Sequence, residues 1–333
     1  MRRARRARLA RWSVNTPLAQ WAIGLDAEDP AAEWARVYRM QLASHGAGAA
    51  AAIGLSSIDL ALGDIKGRHA GQPVWQLLGG ERRPIGAYAG GIALGFSPID
   101  ARVAAAEDDF ARGYPALKLR LGDTPENDCA RVRAVRAALG DAIVIMADAN
   151  TAYTLDILRA VAPTLAAAHV YWLEEPFPPH DYRRYRAARA LTDVPLAAGE
   201  NHYTRFDFER ARDDGAITLG QPDLSKTGGL SAALYIARMA AESGIRIHPH
   251  TGLTALTALN MAASLRFLAA IANGGYFEAD VTRYPPLRDG LASGRFELAA
   301  DETYLPPTGA GVGIDISADL LDQYPGIRGA GYV

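Results

Sequence analysis

Short apolar runs that each end in a polar residue recur along the middle of the chain. Five of them are AIVIMAD, VYWLEE, PLAAGE, ITLGQPD and IRIHPH, with polar ends at residues 148, 174, 200, 223 and 250. The intervals of 26, 26, 23 and 27 residues each accommodate one strand, one helix and two loops. Because each helix returns the chain to the same edge of a parallel sheet, the polar side chains are expected along one edge.

Three further runs complete the series: RPIGAYAGG and ALKLRLG precede the five, and GYFEADV follows them. The stretch after the last run, TRYPPLRDG, is broken by prolines, so no eighth helix is evident. The alternation predicts an α/β fold, a (β/α)8-type barrel of the modified TIM kind, with the strand ends converging on its C-terminal mouth. Helices are predicted near residues 98–112, 126–139, 154–168, 181–191, 205–211, 230–243 and 256–272.

Helical spacing dominates the chain ahead of the barrel. Residues 30–43 begin with Pro30 and carry an acid in the first turn, which is typical of a helix start. Residues 56–66 place apolar side chains on one face, and we expect that helix to stop at Gly67. GQPVWQLLGG predicts a short helix ended by the Gly79–Gly80 pair. We therefore expect a capping domain over residues 1–80, a barrel over 81–284, and a segment over 285–333 that returns to the capping layer.

Composition excludes some classes of protein. With 333 residues, 49% hydrophobic and 22% charged, the chain is expected to be globular, and a net charge of −2 favours neither nucleic acid nor membrane. No apolar run approaches the roughly 20 residues that span a bilayer. The single cysteine, Cys129, excludes an internal disulfide and fits a cytoplasmic location. The arginine-rich start, MRRARRARLARW, lacks the apolar segment of a secretory signal, so we expect a disordered tail or a misassigned start, with a nucleic-acid arm as the alternative.

Three carboxylates suggest a metal site. Asp148, Glu174 and Glu200 stand at neighbouring predicted strand ends, where like charges would raise one another's pKa. A divalent cation removes that repulsion, and an all-oxygen ligand set fits Mg²⁺. The alternative is a set of unrelated acids that face solvent or helix N-termini. Asn150, two residues after Asp148, is a candidate for the metal shell or the substrate, or equally for capping a loop.

A histidine–aspartate pair suggests proton transfer. His250 and Asp223 end adjacent predicted strands, where the carboxylate would orient the imidazole and raise its basicity. A lone histidine is more often structural, but the register of the pair favours catalysis. For Lys226, three residues after Asp223, we prefer a structural ion pair.

The order of these motifs resembles one known family. IDLALGDIKGRHAGQPVWQLLGG, ALKLR, MADAN, WLEEP, AAGEN, QPDLSKTGGL and IHPHTG are together similar to the mandelate racemase subgroup of the enolase superfamily, from about residue 33 to the C-terminus. The resemblance implies a Mg²⁺ cofactor on Asp148, Glu174 and Glu200, an Asp223–His250 dyad, and removal of a proton α to a carboxylate. It also implies that Glu278 binds substrate or serves as a general acid.

One motif departs from the family. Its second strand usually carries Lys-x-Lys with the second lysine as base, whereas this chain has Lys118 and Arg120. Arginine stays protonated and is a poor base, although it can hold a carboxylate or enolate oxygen bidentately. We therefore expect one-base chemistry through His250, with Lys118 as an electrostatic group or an alternative base. Cycloisomerase chemistry of the related muconate branch is disfavoured, because that branch resembles a lysine pair without the dyad.

These features predict a Mg²⁺-dependent dehydratase that converts a sugar acid, an aldonate or aldarate, into a 2-keto-3-deoxy acid. His250, His202 or Glu278 would protonate the leaving hydroxyl, and His202 could also bind substrate. The first alternative is a racemase or epimerase of a 2-hydroxy acid. The second is a truncated, non-catalytic relic or binding protein, because the strands that open the family's capping domain are not evident before Pro30. The expected partners are a small-molecule carboxylate and further copies of this chain in a homo-oligomer.

Overall fold

Eight parallel strands form the centre of the fold. The computed structural model describes residues 18–45, 48–90, 97–251, 257–282 and 296–317, together with residues 289 and 319. Each strand corresponds to an apolar run of the sequence, and the longer strands β1, β2 and β3 are buried along most of their length. The strands are β1 (Ile85–Gly90), β2 (Ala116–Arg120), β3 (Val144–Asp148), β4 (Leu173–Glu174), β5 (Leu196–Ala198), β6 (Leu219–Gly220), β7 (Arg246–Ile247) and β8 (Phe277–Asp280).

The sheet closes on itself. Its strand order runs from β7 through β6, β5, β4, β3, β2 and β1 to β8, and all of these neighbours pair in parallel. Between β7 and the segment before β8, Ile247 N donates to Asn273 O at 3.0 Å and Gly275 N donates to Ile247 O at 2.8 Å. The predicted barrel is therefore confirmed, including the parallel order that the sequence repeat required.

Helices precede the barrel and alternate with its strands. The seven helices predicted between strands are present, with ends that differ from the prediction by at most three residues. Local signals fix some of them: α7 begins with Pro125 at its first position, and Thr124 Oγ1 accepts from Asn127 N at 3.2 Å. The helices are α1 (Ala19–Ala22), α2 (Pro30–Val37), α3 (Ala43–His45), α4 (Ala49–Ala70), α5 (Val74–Leu77), α6 (Ile99–Ala111), α7 (Pro125–Leu139), α8 (Leu155–Ala167), α9 (Tyr182–Ala188), α10 (Arg205–Asp213), α11 (Gly229–Glu242) and α12 (Thr257–Ala270).

The segment after the barrel lies against both parts of the molecule. Strand β9 (Thr303–Tyr304) pairs antiparallel with β1 through Ile85 and Tyr304. Further along, Val312 N donates to Asp64 on α4 at 2.7 Å. Most of TRYPPLRDG, where no eighth helix was evident, lies outside the described residues. Within the described residues, no helix combines the length and apolar character needed to cross a bilayer.

The barrel interior is a layer of apolar side chains directly beneath the mouth. Alternate residues of a strand point to the same face, so Ala116, Met146 and Trp172 lie one step below Lys118, Asp148 and Glu174. The charged side chains of the mouth therefore have buried apolar neighbours on their inward side. It comprises Tyr88, Ala116, Met146, Trp172, Ala197 and Leu219.

The prediction that the long capping helix stops at Gly67 is wrong. Helix α4 continues to Ala70 and ends where Gly71 adopts a left-handed conformation with φ of 63°. Gly67 instead allows the returning segment to cross the helix: a Cβ atom there would lie 2.5 Å from Gly311 Cα. The predicted helix over residues 30–43 is also interrupted, because α2 passes into a π-helix at Tyr38–Leu42.

Gly67→Ala is expected to destabilise the fold although alanine is the better helix former. The new methyl would meet backbone atoms of Gly311 and Gln72, which cannot rotate away. We expect the free energy of unfolding to fall by about 1–3 kcal/mol, the usual cost of overpacking. Urea unfolding followed by circular dichroism measures the change.

Gly63→Ala on the same helix is the matched control. The nearest heavy atom to a Cβ at Gly63 is Leu230 Cδ2 at 3.8 Å, an ordinary contact. This variant should be neutral or gain about 0.5–1 kcal/mol from helix propensity. Equal destabilisation of both variants would contradict the assigned crossing at Gly67.

Candidate active site

The charged side chains gather at the C-terminal mouth of the barrel, as the strand repeat predicts. Arg120 and Asp148 are register partners, and so are Asp148 and Glu174, so these strand ends are level. Glu200, Asp223 and His250 follow β5, β6 and β7 within a few residues. The structure thus brings eight predicted residues together, all of them buried or half-buried: Lys118, Arg120, Asp148, Glu174, Glu200, Asp223, His250 and Glu278.

Lys118 joins three carboxylate oxygens. Its Nζ lies 2.9 Å from both Glu174 oxygens and 2.9 Å from Glu278 Oε1, with Asp148 Oδ2 at 4.0 Å. Burial alone would lower the pKa of Lys118, but the charges of Glu174 and Glu278 outweigh it and hold the pKa well above its usual value. Lys118 is therefore a fixed positive charge in this arrangement, not a group ready to accept a proton.

Arg120 occupies the place of the family's second lysine and faces Asp148. Its Nη1 lies 2.9 Å from Asp148 Oδ2, and 17% of its side chain is exposed against 4% for Lys118. The guanidinium thus pairs with one carboxylate while keeping some access to the open side of the mouth. That exposure leaves it able to meet an incoming anion.

The three predicted metal ligands share one compartment. Burial raises the pKa of Asp148, and burial raises that of Glu174 to about 7 even though Lys118 opposes the shift. Asn150 connects two of the three, because its backbone N donates to Asp148 Oδ1 at 2.8 Å and its Nδ2 donates to Glu200 Oε1 at 3.2 Å. Both roles weighed for Asn150 are thus compatible with its position.

The donor set fits a hard divalent cation, although the acids are engaged by protein groups. Asp148 and Glu174 contact Arg120 and Lys118, and Glu200 contacts His250. Among the described residues, no group of three or more acidic, histidine or cysteine side chains surrounds a common point as a ready metal cage. The three buried carboxylates nevertheless offer only oxygen donors, which is the ligand type that hard divalent cations prefer.

His250 is held at both ring nitrogens. Nδ1 lies 3.0 Å from Asp223 Oδ2, and Nε2 lies 2.6 Å from Glu200 Oε2 and 3.9 Å from Glu278 Oε2. Burial would lower the pKa of His250, but the charges of Glu200 and Glu278 outweigh it and raise the pKa to about 10. Asp223 therefore fixes the ring, and Nε2 is the nitrogen that faces the centre of the mouth.

Asp223 is itself held by several donors. Ser225 donates to Oδ1 through its N at 2.9 Å and its Oγ at 2.6 Å, and Asn260 Nδ2 donates to the same atom at 3.1 Å. Lys226 Nζ lies 3.2 Å from Oδ2 and donates to Glu200 O at 3.0 Å. Burial would raise the pKa of Asp223, but Lys226 and the bond from His250 bring it to about 2. The expected structural ion pair of Lys226 is confirmed.

His202 is not brought to the site. A turn closed by His202 N and Gly199 O at 3.0 Å directs its ring toward Tyr182 and Phe208, with ring centroids 6.2 and 5.2 Å away. Both ring nitrogens lack hydrogen-bond partners among the described residues, and burial lowers the pKa of His202 to about 4. The expectation that His202 binds substrate or protonates it is corrected: the chain reverses after Glu200 and buries the imidazole among aromatic rings.

Other polar residues were missed by the sequence analysis. Gln221 Nε2 donates to Glu174 Oε2 at 2.7 Å, and Trp172 Nε1 donates to the same atom at 3.3 Å. Strand alternation could have identified Gln221 as a site residue, because it lies two residues before Asp223 and residues at that spacing face the same side of an extended chain. Asn260 lies on α12, 37 residues after the aspartate it contacts, and no spacing in the sequence connects the two.

Two family descriptions match the chain. The one described as enolase C-terminal domain-like covers residues 101–320, and the mandelate racemase / muconate lactonizing enzyme N-terminal domain covers residues 4–79.

Characterised relatives extend over most of the chain. A D-galactarolactone cycloisomerase from Agrobacterium fabrum is 32% identical over 91% of this chain and 82% of its own length. An arabinonate dehydratase from Saccharolobus solfataricus is 29% identical over 87% of this chain and 77% of its own length. The relatives are thus acid-sugar cycloisomerases and dehydratases.

Solved structures agree with this fold. An enolase superfamily member from Polaromonas sp. JS666 superposes with a TM-score of 0.93 and 47% identity, covering 99% of this chain and 86% of that one. A racemase from Streptomyces coelicolor A3(2) with bound magnesium superposes with a TM-score of 0.85 and 28% identity, covering 94% of this chain and 83% of that one. The strand-end acids, the His–Asp pair and these matches lead to one conclusion: the chain belongs to the mandelate racemase subgroup of the enolase superfamily.

Proposed function

We propose that the protein dehydrates a sugar acid, removing the proton α to its carboxylate with His250 and giving a 2-keto-3-deoxy acid. The observation that carries the proposal is the placement of His250, which is fixed by Asp223 at Nδ1 and presents Nε2 to the centre of the mouth. Relatives named as acid-sugar dehydratases support this class of substrate.

Mg²⁺ would be held by Asp148, Glu174 and Glu200, and its bound charge would stabilise the enediolate form of the substrate. A superfamily structure that contains magnesium supports this assignment. Arg120, on the half-open side of the mouth, is placed to hold a substrate carboxylate, and the buried ammonium of Lys118 adds fixed positive charge nearby. These groups favour the state in which negative charge has developed, so they lower the barrier rather than only bind the ground state.

One residue, His250, can both remove the α-proton and return it to the leaving hydroxyl. Mg²⁺ held by Glu200 would compensate the carboxylate charge that does most to raise the pKa of His250, and would leave Nε2 able to accept a proton. The bond between the α-carbon and its hydrogen breaks, the proton passes to His250 Nε2, and the electron pair enters the enediolate. The bond to the β-hydroxyl then breaks, and that hydroxyl leaves as water with a proton from His250. The remaining enol then loses the proton on its C2 oxygen to water, takes a proton from water at C3, and becomes the 2-keto-3-deoxy acid. Glu278, 3.9 Å from His250 Nε2 and 2.9 Å from Lys118, is the alternative donor for the leaving group.

A cycloisomerase acting on a cyclised acid sugar is the second candidate. The relative from Agrobacterium fabrum, named D-galactarolactone cycloisomerase, favours it. The first step would be the same, because a ring oxygen bonded to the β-carbon can leave in place of a hydroxyl.

Two-base racemisation is disfavoured, since Lys118 contacts Glu174 and Glu278 and its pKa is raised. A non-catalytic relic is disfavoured by the intact contacts of the His–Asp pair.

His250→Asn is expected to lower the rate of α-proton exchange by about 10²–10⁴-fold, the contribution of a positioned general base. The measurement is incorporation of deuterium from D₂O into a panel of aldonates, aldarates and their lactones with Mg²⁺, followed by NMR. Release of a 2-keto-3-deoxy acid or opening of a lactone separates the two candidates. His180→Asn, at an exposed histidine, should keep the full rate. Wild-type exchange in His250→Asn would refute the one-base scheme.

Glu174→Gln is expected to weaken Mg²⁺ binding at least about tenfold, because it removes one ligand charge from a site of three carboxylates. Trp172 offers a readout without substrate, since its Nε1 lies 3.3 Å from Glu174 Oε2. Titration of wild-type protein with Mg²⁺ should change the tryptophan fluorescence. Asp156→Asn, whose carboxylate is exposed on α8, should leave the titration unchanged. An identical titration curve in Glu174→Gln would exclude Glu174 as a ligand.

A further inference from the structure

The loop that follows Asp223 is hydrogen-bonded to the capping layer, the helices α2 and α4 that precede the barrel. Residues 223–231 run from the dyad carboxylate to the start of α11. Three buried side chains of the capping layer bond this loop: Trp34 Nε1 donates to Gly228 O at 2.8 Å, Gly228 N donates to Ser56 Oγ at 2.8 Å, and Ser231 N donates to Asp59 Oδ2 at 2.9 Å. The partners are 172 to 194 residues apart in sequence, so the contact is tertiary.

The loop backbone also packs tightly against these side chains. Gly228 and Gly229 have φ of 104° and 80°, a conformation that suits glycine. A Cβ atom on Gly229 would lie 2.4 Å from Asp59 Oδ2, and one on Gly228 would lie 2.9 Å from Trp34 Nε1. The two glycines therefore allow the loop backbone to lie directly against Asp59 and Trp34.

The same loop is tied to the dyad at its other end. Lys226 N and Thr227 N both donate to Asp223 O at 2.9 Å, and Lys226 Nζ lies 3.2 Å from Asp223 Oδ2. Asp223 Oδ2 in turn lies 3.0 Å from His250 Nδ1. An unbroken series of contacts thus leads from Ser56 and Asp59, through one short loop, to the imidazole.

We propose that Ser56 and Asp59 of the capping layer are positioning residues for His250, acting through the Gly228–Gly229 turn and Asp223. Within the described part of the chain, the hydrogen bonds of Ser56 and Asp59 go to Ala52 and to the loop after Asp223, so the two side chains act on the geometry of the dyad and not on the substrate. The inference rests on the proposed role of His250 as the base. Its consequence is that the helices before the barrel help to set the orientation of the imidazole.

The chain offers two matched pairs of variants for a test. Ser56 and Ser57 each donate to the carbonyl four residues earlier, but Ser57 is exposed and only Ser56 accepts from Gly228. Asp59 and Asp64 each accept a backbone N–H from a distant segment, but Asp64 accepts from Val312. Ser56→Ala and Asp59→Ala are the test variants. Ser57→Ala and Asp64→Ala are their controls.

The primary readout needs no substrate. In full-length protein with Mg²⁺, the Nδ1–H proton of His250 is identified by NMR through its loss in His250→Asn. We expect exchange of this proton with water to be at least about tenfold faster in Ser56→Ala and Asp59→Ala and unchanged in both controls. Asp59→Asn, which keeps an acceptor for Ser231 N, should restore the wild-type signal.

Enzyme kinetics give a second readout, in which the test variants should again differ from their controls. Small displacements of a catalytic group cost up to about 10²-fold, so we expect kcat for α-proton exchange to fall about tenfold or more in the test variants, with KM within about twofold. If Asp59→Ala does not fold, the milder Ser56→Ala decides the question.

A wild-type signal and rate in both test variants would overturn the inference, as would equal losses in the controls. Absence of exchange by the wild-type protein with every sugar acid would instead remove the proposed function, and the NMR comparison would still decide the positioning role.

Discussion

A surplus of buried negative charge at the barrel mouth dominates the structure. Moving an ion out of water costs several kcal/mol even after the protein relaxes, so each buried carboxylate needs a cation or hydrogen-bond donors. Lys118 meets three carboxylate oxygens at 2.9 Å, Arg120 meets Asp148, and Lys226 meets Asp223. These three permanent cations leave two of the five acids uncompensated, and His250, whose pKa is raised to about 10, supplies one further positive charge. The acids are Asp148, Glu174, Glu200, Asp223 and Glu278.

The barrel imposes this concentration of charge. Parallel strands in register bring alternate side chains to one level, and the layer of Tyr88 and Trp172 beneath them closes the interior. The two rings meet edge to face at 5.5 Å, and the Lys118 ammonium lies 5.6 Å from the centre of the Tyr88 ring. Most of the charged side chains are therefore buried between this layer and the rest of the mouth, and only Arg120 among those paired here keeps notable exposure, at 17% of its side chain. Their charges must balance within the mouth.

The sequence predicted the parts of this site that depend on a local repeat. Asp148, Glu174, Glu200, Asp223 and His250 were found because one strand and one helix occupy a nearly constant length of chain. Gly67 was wrongly taken as a helix end. A glycine is needed there because Gly311, 244 positions later, crosses the helix at that point, and no local pattern reports such a contact. His202 was misassigned because a single turn after Glu200 decides which way its ring points. Asn260 and Asp59 act across distances that only the closed fold brings together.

Replacement of the usual second-strand lysine by Arg120 limits the stereochemistry of the proposed reaction. Arg120 cannot accept a proton, and Lys118 lies 2.9 Å from oxygens of both Glu174 and Glu278, whose charges raise its pKa and make it the poorer base. The acceptor is then His250 alone, at one side of the mouth. If the same imidazole also protonates the leaving hydroxyl, the hydrogen and the hydroxyl must depart from the same face of the substrate. The one-base scheme therefore predicts a syn elimination, whereas an anti elimination would require Glu278 or another acid on the opposite face.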